Sequence, residues 1–199
     1  VDWSRSTAGE LPRKLRASMG ELWRGVLESE HRSAGIFATF VLDLMGAGAP
    51  REVLSVACRA ALDEVRHAEL SARLAALYTG REESPPPGIP RVFDDAELTL
   101  EAQALRQALF LSVAAETYSC VSLAKLHDQA EDPVVRDVLA VILADEVFHA
   151  RIGWAWFAAR VEDKALAGPT RALLGAHVVP VFDDLVRGLF DDPAALPPP

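Results

Sequence analysis

Four times along this 199-residue chain, a helical stripe of apolar side chains is broken near its middle by one glutamate. Placed at 100° steps, the first stripe reads Trp23, Val26, Glu30, Ala34, Phe37, Val41, Leu44, and the second Val53, Ala57, Ala60, Glu64, His67, Ser71, Leu74. The third reads Leu105, Leu109, Ser112, Glu116, Ser119, Leu123, and the fourth Val135, Leu139, Ile142, Glu146, His149, Gly153, Phe157. A carboxylate in a dry helix interface costs several kcal/mol unless something neutralises it. Four of them at one depth would also repel one another. A fold that buries these stripes must bring positive charge to the acids.

The spacing of chain breakers sets the frame for the stripes. Helices are expected over roughly 10–45, 50–78, 96–127, 133–164 and 169–190, because the intervening segments carry the Gly and Pro residues and β-branched alternation is nearly absent. The breaks are Gly46–Pro50, the Pro-rich linker 79–95, Asp128–Pro133, and Gly168-Pro169. Two short loops imply two antiparallel helix pairs. The 17-residue linker spans about 55 Å when extended, enough to run the length of a bundle. That permits a crossover with the second and third helices parallel. The expected fold is all-α: one domain over 1–190, a four-helix bundle with a long crossover and a C-terminal fifth helix, then a flexible Pro-rich tail, 191–199. The fifth helix carries Val178, Val181, Leu185 and Leu189 and is expected to cover the bundle or to form a homodimer contact.

Composition narrows the partners. Twenty basic against 29 acidic side chains leave a net charge of −9, the wrong sign for a nucleic-acid surface. No run of about 18 uncharged apolar residues is evident, so no membrane span is expected. Two cysteines, Cys58 and Cys120, are too few for a disulfide framework or a zinc ribbon and read as free thiols, which with the lack of a signal-peptide pattern gives a cytoplasmic expectation. The chain begins with Val1 rather than Met, and an upstream segment is allowed for.

Two divalent cations carry the charge that four carboxylates lack, and mixed carboxylate and imidazole donors suit iron or manganese. Glu64 and Glu146 each have a histidine one turn on, His67 and His149. With 15 Glu and 5 His, about 0.4 Glu-x-x-His matches are expected by chance. A third match, Glu28 to His31, is a decoy: Glu28 lies about 160° from the stripe centre, so Glu30 is the first-helix candidate. Glu30 precedes Glu64 by 34 residues and Glu116 precedes Glu146 by 30, each a helix-turn-helix return to one depth. The competing reading is a set of surface acids on misphased helices, or a buried polar network without metal.

With these residues in place the chain resembles the ferritin-like di-iron carboxylate superfamily over roughly residues 15 to 160. The resemblance implies a four-helix bundle with two iron ions held by Glu30, Glu64, His67, Glu116, Glu146 and His149, and dioxygen, peroxide or iron-oxidation chemistry there. Asp63-Glu64-Val65-Arg66-His67 is similar to the Asp-Glu-x-Arg-His motif of bacterial multicomponent monooxygenase hydroxylases; Asp145-Glu146-Val147-Phe148-His149 keeps the Asp but has Phe for Arg. The resemblance gives Asp63 and Asp145 the task of accepting a hydrogen bond from a ligand histidine. Arg66 pairs with Asp63 or is exposed.

Other branches fit less well: rubrerythrins have a glutamate where this chain has Ser119, bacterioferritins a haem-binding methionine at Val65, ribonucleotide reductases a radical tyrosine at Ser71, and arylamine N-oxygenases a histidine at Ile142. Ser119 is either a hydroxyl facing the metal-bound oxygen, as a desaturase threonine is, or a small residue that eases packing. The expected function is oxidation of a small-molecule substrate with O2, fed by an external electron donor. The alternatives are a ferroxidase with iron as substrate, and a helical interaction module with a vestigial site.

Overall fold

The computed structural model describes residues 1–85, 87 and 98–178. Among them the regular structure is entirely helical. Four long helices dominate: α1 (Arg13–Gly46), α2 (Arg51–Thr79), α3 (Leu100–Gln129) and α4 (Pro133–Glu162). A shorter α5 (Lys164–Leu173) follows.

Helix starts and stops follow local chemistry. α1 and α2 each begin after a proline, Pro12 and Pro50, which favours extended backbone just outside the helix. Thr99 caps α3 by accepting from the Ala102 N–H at 3.2 Å. Asp132 caps α4 through the Val134 and Val135 N–H groups, with Pro133 in the first turn. The other carboxylate oxygen of Asp132 accepts from Ser6 and Thr7, pinning the N-terminal segment to the start of α4. α2 stops at Gly80, whose φ of +73° lets its N–H reach the Ala76 carbonyl.

The long helices pack as a ring: α1 on α2, α2 on α4, α4 on α3, and the first turns of α3 back on α1. Leu100 lies over Gly46, at the C-terminal end of α1, while Thr79 lies over Gly20, near its other end. The connection from α2 to α3 therefore joins opposite ends of the bundle, and α2 and α3 run parallel. Most of that connection lies outside the described residues.

Two apolar cores fill the ring. One is built around Phe37, Phe40, Leu44, Leu105, Ile152 and Trp156. The other is built around Trp23, Leu74, Tyr78, Val134, Val138 and Ile142. The acids of the stripes occupy the layer between them.

Three expectations need correction. The fifth helix starts at Lys164, not 169, because Asp163 caps it through the Ala165 N–H and Pro169 is carried inside the helix. Its expected continuation to 190, and the tail 191–199, lie outside the described residues apart from a π-helical turn, Leu174–Val178. The middle of α3, Ala108–Ala115, is π-helical rather than α-helical. These wider turns shift the phase: Leu111 is buried, while Leu109 is only half-buried. Finally, α3 is long and apolar enough, by length and composition, to cross a membrane, where no such stretch was expected. Its first half is packed into the bundle, and beyond Glu116 none of its residues is buried.

Candidate metal centre

Each long helix delivers its mid-stripe acid to one polar layer. Glu64 and Glu146 are almost fully buried, as are His67 and His149 one turn beyond them. Glu116 is buried, and Glu30 partly so. Glu28 is exposed, as its phase requires, and His31 is half-buried.

The six side chains form two overlapping groups. Glu30, Glu64, His67 and Glu146 bring one oxygen or nitrogen each to within 4.8 Å of one another, and so do Glu64, Glu116, Glu146 and His149. Glu64 and Glu146 belong to both, which is the placement of carboxylates that bridge two cations. His67 Nδ1 lies 3.8 Å from Glu64 and 3.4 Å from Glu146. His149 Nδ1 lies 3.0 Å from Glu64 and 3.5 Å from Glu146. Both rings thus turn the same nitrogen to the acids, with centroids 5.8 Å apart. Phe37 backs His149, edge to face, at 5.2 Å.

These contacts are close but poorly directed. His67 Nδ1, His149 Nδ1, Glu64 Oε2 and Glu146 Oε2 are all buried without a hydrogen-bond partner. Buried polar atoms of native proteins are rarely left so. Atoms that converge on a shared point, rather than on one another, are arranged as ligands are around a cation. The donor set of carboxylates and imidazoles fits iron or manganese.

The far nitrogens of the two rings face aspartates, and the pairing crosses between the halves of the chain. His67 Nε2 is 3.2 Å from Asp145 Oδ2. His149 Nε2 is 3.6 Å from Asp63 Oδ2. Each aspartate meets an arginine in turn. Arg66 reaches Asp145 at 3.3 Å, so it pairs across the bundle rather than with Asp63 of its own helix. Asp63 is met by Arg59, one turn earlier, at 3.4 Å. Arg59 went unnoticed in the sequence, although its four-residue spacing from Asp63 is a detectable signal.

The electrostatics divide the acids into two kinds. Burial, and then repulsion from Glu64, push the Glu30 carboxyl up to about 9. Burial and the neighbouring Glu146 push Glu116 well above the carboxylate range. Burial opposes charge on Glu64 and Glu146 too, but His149 and His67 outweigh it and hold both below the usual range. Burial likewise opposes charge on the imidazoles, yet Glu146 and Glu64 raise His67 to about 10 and His149 to about 9.

α1 and the second half of α3 leave a cleft of about 650 Å³ between them. Its lining includes Glu30, Glu64, Glu116 and Glu146 but neither histidine. The centre is therefore closed on its imidazole side and open on its carboxylate side. Ser119 lines this cleft, as do Tyr118 and Ser122. Ser112 is already committed: its hydroxyl donates to the His149 carbonyl and accepts from the Gly153 N–H at 2.8 Å. Gly153 is required there, because an added Cβ would run into the Ala108 carbonyl. Cys58 and Cys120 are free thiols; burial, then Glu146, raise the pKa of Cys120. Trp156 is a core side chain, whereas Trp154 is exposed and packs edge-on against Phe157. No family model, curated protein or solved structure matches the chain.

Proposed function

We propose that this chain is a ferritin-like di-iron carboxylate protein that uses dioxygen or peroxide to oxidise a bound substrate, with electrons from an external donor. The observation that carries the reading is the pair of four-residue groups sharing Glu64 and Glu146, with inward-facing atoms that have no other partner. Glu30 and His67 would hold one ion, Glu116 and His149 the other, with Glu64 and Glu146 between them. Bound iron supplies one-electron and O2 chemistry.

The chain's own residues account for the rest. Asp145 accepts the Nε2 proton of His67, which fixes the tautomer that leaves its Nδ1 free to ligate, and Asp63 faces His149 Nε2 at 3.6 Å, placed to do the same once the ring settles on an ion. The two apolar cores keep bulk water from the centre along the bundle axis. The cleft admits a substrate on the carboxylate face. Among the described residues its walls carry no acid besides the four cluster glutamates, which favours an organic substrate over iron as the species that enters.

The test is anaerobic loading with Fe(II), metal analysis, and the optical spectrum after O2 is admitted. About two ions per chain are expected, with new absorption after O2. Glu30→Ala is expected to lose the two-ion complement and Glu28→Ala to keep it. A reproducible metal content near zero in the wild type would sink the proposal.

A further inference from the structure

The cleft has a shape and a chemistry of its own. On α1 its lining runs from Leu22 to Ile36, a span of about 20 Å at the helical rise. Glu30 sits between those limits, and Glu116 faces the same space from α3. The acids thus lie part-way along an elongated groove, not at the end of a blind pocket. One arm is walled by Leu22, Val26 and Leu123, the other by Ile36, Phe110 and Leu111. Among the described residues no lysine, arginine or aspartate lines either arm. The polar wall groups near the acids are hydroxyls: Ser29 and Ser33 on α1, Ser119 and Ser122 on α3. The volume is within the usual range for small-molecule sites, roughly 300–1,000 Å³.

We infer that the cleft binds an extended, uncharged and mostly apolar organic molecule that lies along the bundle axis, with an interior atom rather than a terminus over the acids. Each feature bears on one property of the ligand. Apolar walls on both sides of the centre ask for an apolar body on both sides of the reacting position. A charged group lying against such walls meets no side chain of opposite charge among the described residues. The serines hydrogen-bond a neutral hydroxyl or carbonyl without demanding charge. This inference rests on the proposed function for its chemistry, but the binding it describes does not need metal.

Three probes with ten carbons each separate these properties: 1-decanol is linear and neutral, decanoate linear and charged, and 1-adamantanol compact and neutral. Binding to the full chain is measured by calorimetry, with metal-loaded and chelator-treated protein side by side and metal content determined on the same samples. Decanol is expected to bind at least tenfold more tightly than either other probe. Two substitutions narrow one arm from opposite walls, Leu22→Trp and Ser122→Trp. Leu22 is more than half exposed, so its replacement spares the core. Both variants are expected to weaken decanol binding at least tenfold and to keep the wild-type metal content. Equal binding of the three probes, or decanol binding untouched by both substitutions, overturns the inference. So does binding of none of them, the result for a cleft filled by protein, whether a second copy or another part of this chain. Metal content near zero with selective decanol binding intact would remove the di-iron reading and leave the cleft assignment standing.

Discussion

Loading the centre with two divalent cations should expel about four protons, and the number follows from the charges already in place. Near pH 7 the Glu30 carboxyl, raised to about 9, holds its proton, and burial with neighbouring carboxylates drives Glu116 the same way. Glu64 and Glu146 are ionised, and His67 and His149 are imidazolium. Two negative and two positive groups leave the metal-free centre neutral. Two divalent cations need four carboxylates and two neutral imidazoles for the same neutrality. Two carboxyl protons and two imidazolium protons must therefore leave. Proton-coupled binding strengthens as pH rises, by about one decade per released proton per pH unit. For four protons, the combined constant for both metals should rise by about four decades between pH 7 and 8. The slope should flatten through pH 9 to 10, where Glu30, His149 and His67 lose their protons unaided. Anaerobic titration with Mn(II) or Fe(II) in weakly buffered solution, held at constant pH by added base, counts the protons directly. Fewer than about one proton per metal would refute the charge balance, and with it the assignment of these six groups to one centre.

Three further outcomes follow from particular contacts. The metal-free protein should lose thermal stability between pH 7 and 10 in the presence of a chelator. The imidazoles stabilise fully below their ordinary 6.5 and cease to do so as pH passes about 9 to 10, and neutral Glu30 is lost over the same upper range; a flat or rising melting temperature would contradict this. Asp145→Asn should weaken the ion on the His67 side by roughly 10- to 100-fold in a chelator competition, and Asp63→Asn the ion on the His149 side. Arg66→Ala should do less, because its guanidinium is half exposed; equal losses from Asp145→Asn and Arg66→Ala would place the positioning role on the wrong residue. Gly153→Ala drives a Cβ into the Ala108 carbonyl and the Val113 side chain, and should cost about 1–3 kcal/mol by chemical denaturation. An unchanged midpoint would mean that α3 and α4 can separate freely there.

The cluster was legible because helical phase is local. Four glutamates and two histidines at a 100° step need only four straight stripes and two short loops to meet. What the sequence hid depends on how helices cross. Arg66 could be placed on α2, but its reach to Asp145 is set by the distance between α2 and α4. The third stripe slipped at Leu109 because nothing in Ala108–Ala115 announces π-helical turns, though Ser112 and Glu116, both beyond the slip, still face inward. Gly168-Pro169 looked like a break. In the fold the Arg160 guanidinium binds the Thr170 hydroxyl and pairs with Glu101, so tertiary contacts override the local signal. The cleft was invisible for a related reason. It exists because the second half of α3 is not packed against α1, and no pattern along one helix reports its distance from another.

The crossed pairing of histidines and aspartates has a consequence for the symmetry of the molecule. Exchanging the α1–α2 hairpin with the α3–α4 hairpin carries Glu30 onto Glu116, Glu64 onto Glu146, His67 onto His149 and Asp63 onto Asp145. The two hairpins therefore contribute matching donor sets to the one layer. Each hairpin alone owns three donors of a four-donor group, and the aspartate that its imidazole faces belongs to the other hairpin. Neither hairpin is a smaller copy of the whole. A chain cut in its crossover would yield two fragments, each short of one donor and of the aspartate its imidazole faces, and under the proposed function added metal would act as the rivet between them.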